Sequence, residues 1–282
     1  MIETTRRCNM SCGHCLRGDA QNIDINPSYI DNLFQYVDDI EVLGISGGEP
    51  SLFPNGIQAI IDSAKKYNVS IECFGIVTNG KKATESFLFS VMELYNYCSI
   101  PKNCCLQIST DDYHEKINKK NICESLPFYH SKREYISVIP EGKGIEIVGM
   151  KDQKKFFKTH LRPIDIQPEY FFHAPCCIHN VIENMIYLNA IGDILPSCEL
   201  SYKTQKNPKL ILENVTNENF NLKTGIDKYN KYINDLISED LIYVDLKPNE
   251  LRFNASKQKK IVRQREYDRR KKKALTQEKI KK

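Results

Sequence analysis

The chain has 282 residues, 41% of them apolar and 27% charged, enough for a sizeable core in one large domain or in one domain with an appendage. No apolar run approaches the about 18 residues of a membrane span, and the opening MIETTRRC has no apolar signal segment, so a cytoplasmic protein with no membrane partner is expected. The net charge of +4 is unevenly placed: residues 252–282 hold 14 Lys and Arg against 3 Asp and Glu, an excess of 11, which leaves the rest of the chain at −7.

In chain order, residues 1–5 suit a short first strand. Residues 27–39 suit a helix, with Ile30, Leu33, Phe34 and Val37 at helical spacing and Pro27 near its start. Residues 41–46 (EVLGIS) form a buried strand. Residues 56–67 form a helix with Ile57, Ile60, Ile61 and Ala64 on one face. A third strand is expected at 70–77, a third helix at 84–97 and a fourth strand at 104–109. A helix is expected at 112–126 and a fifth strand at 134–139. Residues 144–150 are apolar enough for a sixth strand, or for a hairpin with the fifth. Residues 151–181 show no clear period. Residues 183–188, Gly192-Asp193 and 194–198 suit a β-hairpin, and 223–237 a helix.

Strands alternating with helices at intervals of roughly 30 residues imply βαβ units and a parallel sheet. The expected class is α/β, a partial (β/α)6 TIM-like barrel followed by a small C-terminal extension with a β-hairpin and a helix. The divisions are residues 1–150 for the barrel, 151–255 for the extension, an auxiliary-cluster module or a cap, and 256–282 for a basic helical or disordered tail.

Eleven cysteines are many for a reduced compartment, and their odd number argues against a disulfide framework. Cys73, Cys98, Cys104, Cys105 and Cys123 suit small core positions. Cys8, Cys12 and Cys15 differ, because they crowd into one loop after the first strand. Thiolates are soft ligands for zinc or for iron–sulfur clusters. A structural zinc site is closed by four ligands; His14 lies too close in sequence to Cys12 and Cys15 to be an obvious fourth, and Cys176, Cys177, Cys198 or His179 could supply it from afar. A [4Fe–4S] cluster held by three cysteines keeps one iron open for a cofactor or substrate.

Each of the first four strands is followed at once by an unusual loop: the cysteine triplet, then Gly47-Gly48-Glu49-Pro50, then Thr78-Asn79-Gly80, then Ser109-Thr110-Asp111-Asp112. In a parallel βα barrel the loops after the strands share one face, and that face carries the site. Gly47 and Gly48, lacking Cβ, permit close backbone approach to a ligand, or make a plain strand-to-helix turn. Asp111 accepts hydrogen bonds from hydroxyls, or caps a helix. Asn79-Gly80 is first of all a turn signal.

The CxxxCxxC of Cys8, Cys12 and Cys15, with GGEP at 47–50 downstream, resembles the radical S-adenosylmethionine (radical SAM) superfamily over roughly residues 1–140. That resemblance implies an enzyme whose three cysteines hold a [4Fe–4S] cluster with an open iron for S-adenosylmethionine. One electron then cleaves the sulfonium to methionine and a 5′-deoxyadenosyl radical, which abstracts hydrogen from a substrate. It implies further that the loop of Gly47, Gly48, Glu49 and Pro50 docks the methionine amino group, that His14 lies near the adenine, and that Ser109 and Asp111 lie near the ribose, with Asn79 a weaker site member. Residues 140–144 (PEGKG) resemble a loop that approaches the adenosyl group. A reductant such as flavodoxin or ferredoxin is implied as electron donor.

Cys177, Gly192 and Cys198 resemble the opening of the SPASM and twitch auxiliary-cluster extensions. The gap from Gly192 to Cys198 is one residue longer than usual, and no cysteine follows Cys198. Cys176, Cys177 and Cys198 are therefore candidates for a second iron–sulfur cluster, for a vestigial capping hairpin, or for a thiol hydrogen donor. The leftover cysteines lean toward a peptide or protein substrate, and the basic tail leans toward RNA. An RNA- or nucleotide-modifying radical SAM enzyme is the first alternative. The alternative of another class is a non-enzymatic zinc or iron–sulfur protein that binds nucleic acid.

Overall fold

The structure, a computed structural model, describes residues 1–117, 122–133, 138–150, 153, 156–157, 161, 163–164 and 186–238. Met1–Ile242 is one compact unit, and a second, Tyr243–Lys282, lies outside the described residues together with the basic tail.

Strand β1 (Ile2–Thr5) leads to helix α1 (Pro27–Phe34), then β2 (Asp39–Gly47), α2 (Pro54–Tyr67), β3 (Ser70–Thr78), α3 (Glu85–Tyr97), β4 (Cys105–Ser109) and β5 (Tyr129–Arg133). A short helix α4 (Gly144–Val148) follows, then β6 (Tyr187–Leu188), β7 (Asp193–Leu195), β8 (Glu213–Asn214) and helix α5 (Leu222–Ser238). The sheet order is β5-β4-β3-β2-β1-β6-β7-β8. From β5 across to β6 every neighbouring pair is parallel, and β7 and β8 add antiparallel edges. The class is α/β with an open, mostly parallel sheet, in keeping with the expected partial TIM-like barrel.

Local chemistry sets the helix starts. Asn26 accepts from the Ser28 amide at 3.0 Å ahead of Pro27, and Thr84 accepts from the Phe87 amide at 3.2 Å. Helix α1 buries Ile30, Leu33 and Phe34, α2 buries Ile57, Ile60, Ile61 and Ala64, and α3 buries Phe87, Val91 and Leu94. These stripes carry the periodicity of the sequence into the core. Gly56 lets α2 lie against β1, since a Cβ there would stand 2.8 Å from the Thr4 Cβ. Cys73, Cys98, Cys104, Cys105 and Cys123 are buried and in no disulfide, as expected of small core residues.

Several elements depart from the sequence pattern. The first helix stops at Phe34 instead of Asp39, because short-range bonds from Tyr36 to Leu33 and from Val37 to Phe34 tighten its end, and Asp39 begins to pair with Ser70. Among the described residues of 112–126 there is no α-helix. Asp111 instead draws the Tyr113 amide and the His114 ring into a local turn, and a 3-10 turn follows at Ile122–Ser125. The fifth strand lies at Tyr129–Arg133, earlier than expected, and 134–137 are outside the described residues. The sixth-strand candidate at 144–150 is helix α4, and the place beside β1 goes to β6.

The expected hairpin is present as β6 and β7. Asn189 shapes its turn: Oδ1 accepts from the amides of Ile191 (3.0 Å) and Asp193 (2.9 Å), and Gly192 takes φ +90°. This hairpin is stitched to β1 by buried charge. Glu3 Oε2 accepts from Arg6 Nε and from the Ala190 amide, each at 2.9 Å. Arg6 also donates to Gln205 Oε1 at 2.7 Å and lies over the Tyr202 ring. Arg17 donates to the Leu200 carbonyl at 2.7 Å and lies over Tyr187. Side chains alternate across a strand, so Glu3 faces away from the helix that Thr4 touches.

Glu3 Oε1 also lies 3.9 Å from Arg17 Nε, so removing Glu3 leaves two buried cations without their carboxylate. We expect Glu3→Ala to cost about 3–5 kcal/mol in urea unfolding. A loss near zero would mean that water enters and solvates both guanidinium groups.

Candidate cofactor and metal site

The cysteine loop leaves β1 and returns beside it. The Arg6 amide donates to the Ile23 carbonyl (2.8 Å), the Gln21 amide to Arg6 (3.0 Å) and the Ile25 amide to Thr4 (2.9 Å). Arg7 locks this base through Asp24 at 2.8 Å and the Leu52 carbonyl at 2.9 Å. The loop is thus a closed excursion, and Cys8, Cys12 and Cys15 are all half-buried in it. Cys8 lies in the field of Cys15, and Cys12 in that of Cys15 and Cys8. Burial pushes the Cys8 thiol up. Burial, followed by Cys15 and Cys8, pushes the Cys12 thiol up to about 11. A metal that binds Cys8 and Cys12 must therefore displace protons.

The loop at 47–50 is fastened to the root of that excursion. The Gly48 amide donates to the Thr5 carbonyl at 2.7 Å, and the Glu49 amide to the Arg7 carbonyl at 2.8 Å. These bonds carry the β1–β2 pairing beyond the strands. They also explain the glycines: a Cβ on Gly47 would stand 2.6 Å from the Thr5 oxygen, and one on Gly48 2.4 Å from the Arg7 oxygen. What approaches closely is the chain's own backbone. Pro50 is buried and opens a 3-10 turn, Pro50–Leu52.

Glu49, 1% exposed, is fully engaged. Oε1 accepts from the Ser51 amide (3.0 Å) and the Thr78 hydroxyl (2.6 Å), and Oε2 from the Asn79 amide (2.6 Å). It joins the loop after β2 to the loop after β3. Asn79 then reaches back to the cysteines, with Nδ2 2.8 Å from Asn9 Oδ1 and 3.8 Å from Cys8 Sγ. Lys81 donates to the Asn9 carbonyl at 2.9 Å and pairs with Glu115 beyond β4.

On the other flank, His14 is buried beside the β4 loop. Its ring centroid is 5.0 Å from that of Tyr113 and 4.8 Å from that of His114, and Nε2 is 3.8 Å from Asp111 Oδ2. Asp111 Oδ1 accepts from the Tyr113 amide at 2.9 Å, and Oδ2 meets His114 Nδ1 at 2.8 Å. Burial works to raise the Asp111 carboxyl, but the His114 bond and the Tyr113 amide outweigh it and hold the carboxyl below its ordinary value. Burial pulls the His14 imidazole down, against the pull of Asp111. Cys12, His14 and His114 offer three ligand atoms within 4.8 Å of one another. Ser109 is buried at the end of β4.

The loop at 140–144 closes the third side. The Lys143 amide donates to the Cys15 carbonyl at 2.9 Å, and Gly142, at φ +54°, has no room for a Cβ, the Leu16 and Cys15 oxygens standing 2.4 and 2.5 Å away. Glu141, fully buried, accepts from the Ser201 amide (2.6 Å), the Thr204 hydroxyl (2.9 Å) and Gln153 (2.8 Å). Cys198 is half-buried and lies near Arg17. Cys176, Cys177 and His179 lie outside the described residues. Sequence reasoning missed Asn9, Lys81, Tyr113 and His114. Only Tyr113 and His114 had a local cue: an Asx turn at Asp111 takes the amide two residues on, Tyr113, and leaves the next side chain, His114, within reach of the same carboxylate.

The sequence matches no protein-family model and no curated protein. Among solved structures the chain is similar to native anSMEcpe with bound AdoMet and Cp18Cys peptide, at 12% identity and TM-score 0.44, covering 82% of this chain and 80% of that one. It is also similar to Streptococcus suis SuiB bound to precursor peptide SuiA, at 13% identity and TM-score 0.43, covering 82% of this chain and 65% of that one. The chain thus spans less than two thirds of the SuiB chain. At these TM-scores the likenesses carry no weight for activity. No helix among the described residues is long and apolar enough to cross a membrane.

Because Glu49 accepts three bonds in a buried place, Glu49→Ala orphans the Ser51, Thr78 and Asn79 donors. We expect a loss of about 1–3 kcal/mol in denaturant unfolding. A stability equal to that of the parent would show that the carboxylate does not hold these loops.

Proposed function

We propose that the chain is a radical SAM enzyme in which Cys8, Cys12 and Cys15 hold a [4Fe–4S] cluster and the loop at 47–50 holds the methionine end of S-adenosylmethionine. The observation that carries this reading is the joining of the cysteine loop to the Gly-Gly-Glu-Pro loop, by the Gly48 and Glu49 amides and by Asn79, which Glu49 holds against Cys8. The donor set fits the group: three half-buried thiols on one pinned loop are soft ligands, and three ligands for four irons leave one iron for the cofactor.

When bound, the cluster and S-adenosylmethionine supply reductive cleavage of the sulfonium and hydrogen abstraction from a substrate. The chain's part is placement. The Gly48 and Glu49 amides and the Glu49 carboxylate point inward to Thr5, Arg7, Ser51, Thr78 and Asn79, so the groups this loop turns to a ligand are backbone carbonyls, which accept from an ammonium. The Asn79 amide orients the Cys8 sulfur. His14 and Tyr113 form an aromatic wall suited to a purine. Asp111 and Ser109 are the proposed partners of the ribose hydroxyls, and each Asp111 oxygen has a second lone pair for them.

A peptide or protein is the proposed substrate class. The bonds from Ser201 and Thr204, shortly after Cys198, to Glu141 of the 140–144 loop support it. A second cluster on Cys198 with Cys176 and Cys177 belongs to the same proposal. The basic tail supports RNA as the alternative substrate.

Anaerobic protein supplied with iron and sulfide should bind about four irons per chain for one cluster, or about eight for two. With dithionite and S-adenosylmethionine it should form 5′-deoxyadenosine, and Cys8→Ser, Cys12→Ser or Cys15→Ser should abolish that product. Iron-loaded, folded protein that yields no 5′-deoxyadenosine would overturn the reading. Removing residues 256–282 should leave cofactor cleavage unchanged, and its loss in folded protein would place the tail in the site.

A further inference from the structure

Cys12, His14 and His114 offer a sulfur and two imidazole nitrogens within 4.8 Å of one another, a donor set that Cys8 and Cys15 do not share. Zinc bonds sulfur at about 2.3 Å and imidazole nitrogen at about 2.0–2.1 Å, so its ligand atoms stand about 3.3–3.8 Å apart. A contraction of the order of 1 Å brings these three atoms onto one ion. One thiolate and two imidazoles suit a borderline-soft divalent cation and do not suit magnesium or calcium, which prefer oxygen.

The neighbouring carboxylate strengthens the case. Asp111 Oδ2 lies 2.8 Å from His114 Nδ1, which fixes the tautomer that carries the lone pair on Nε2. The same oxygen stands 3.8 Å from His14 Nε2, with Asp111 itself anchored by the Tyr113 amide. Ligation through the nitrogens that Asp111 leaves open, Nδ1 of His14 and Nε2 of His114, would make the carboxylate the outer partner usual for a metal-bound histidine. His14 is buried and its ring is steadied by Tyr113, so two of the three ligands are already oriented.

We infer that the cluster-free protein binds one Zn2+ per chain on Cys12, His14 and His114, with a solvent molecule in the fourth position. The site stands on these three residues alone. Its consequence for the cluster, which rests on the reading above, is exclusion, because both metals need the Cys12 sulfur. Zinc taken up first thus holds the chain in a form that cannot assemble the cluster, and the two histidines are what allow zinc to do so.

Full-length protein, purified free of iron and stripped with chelator, tests this with Co2+ as the probe. One equivalent per chain should give the sulfur-to-metal charge-transfer band and the visible bands of a tetrahedral ion. Those bands should persist in the Cys8→Ser/Cys15→Ser double variant and vanish in Cys12→Ser. In His114→Ala, affinity should fall by at least about tenfold. Bands that need Cys8 and Cys15, or that survive both His14→Ala and His114→Ala, would overturn the site. Zinc-edge X-ray absorption of the unaltered protein covers variants that fail to fold: one sulfur and two imidazoles per zinc support the site, and two or more sulfurs contradict it. Zinc-loaded protein should then take up less iron than metal-free protein, and equal uptake would overturn the exclusion. A chain that never builds a cluster would still give the one-sulfur, two-imidazole signature, so the two readings fail separately.

Discussion

A buried carboxylate at the end of the second strand holds the candidate site together. Glu49 faces the loop after β3 and takes a proton donor from each of Ser51, Thr78 and Asn79. A carboxylate out of water is costly unless such donors surround it, so the geometry of these loops is mutually enforced. The Glu49 backbone meanwhile binds Arg7, the residue before Cys8. One residue thus fixes three loops whose sequence positions are up to about 70 apart, and the cysteine loop takes its register from it.

A second buried centre acts on the opposite side. Glu3, Arg6 and Arg17 bind the β6–β7 hairpin to β1, and Glu141 binds the 140–144 loop to the segment after that hairpin. Strands β6 to β8 therefore continue the sheet beside β1, and the 140–144 loop braces the cysteine loop, where the Lys143 amide meets the Cys15 carbonyl. Mobile loops are poor places to hold a cofactor at fixed geometry. Here rigidity comes from buried charge rather than from long secondary structure.

The parts legible in the sequence were those with a local signature. Apolar spacing at Ile57, Ile60, Ile61 and Ala64 gave helix α2, and strand-end motifs pointed to one face. The glycines at 47 and 48 were visible, but their reason was not: only the fold places the Thr5 and Arg7 carbonyls against them. Residues 112–126 have helical composition, yet Asp111 captures His114 and turns the chain instead. Residues 144–150 look strand-like, yet Gly142 and Lys143, bound to the cysteine loop, start a helix there. Contacts such as Asn9 with Asn79, or Glu141 with Ser201, span 70 and 60 positions and leave no pattern in a single sequence.

The central claim is that three sulfurs on a loop fixed by the chain itself leave one iron open to the cofactor. The most direct measurement is the electron paramagnetic resonance spectrum of the reduced, cluster-loaded protein before and after adding S-adenosylmethionine. An open iron requires the signal to change as the cofactor binds it. A signal that stays the same while the cofactor is demonstrably bound would mean that a fourth protein ligand already occupies that position.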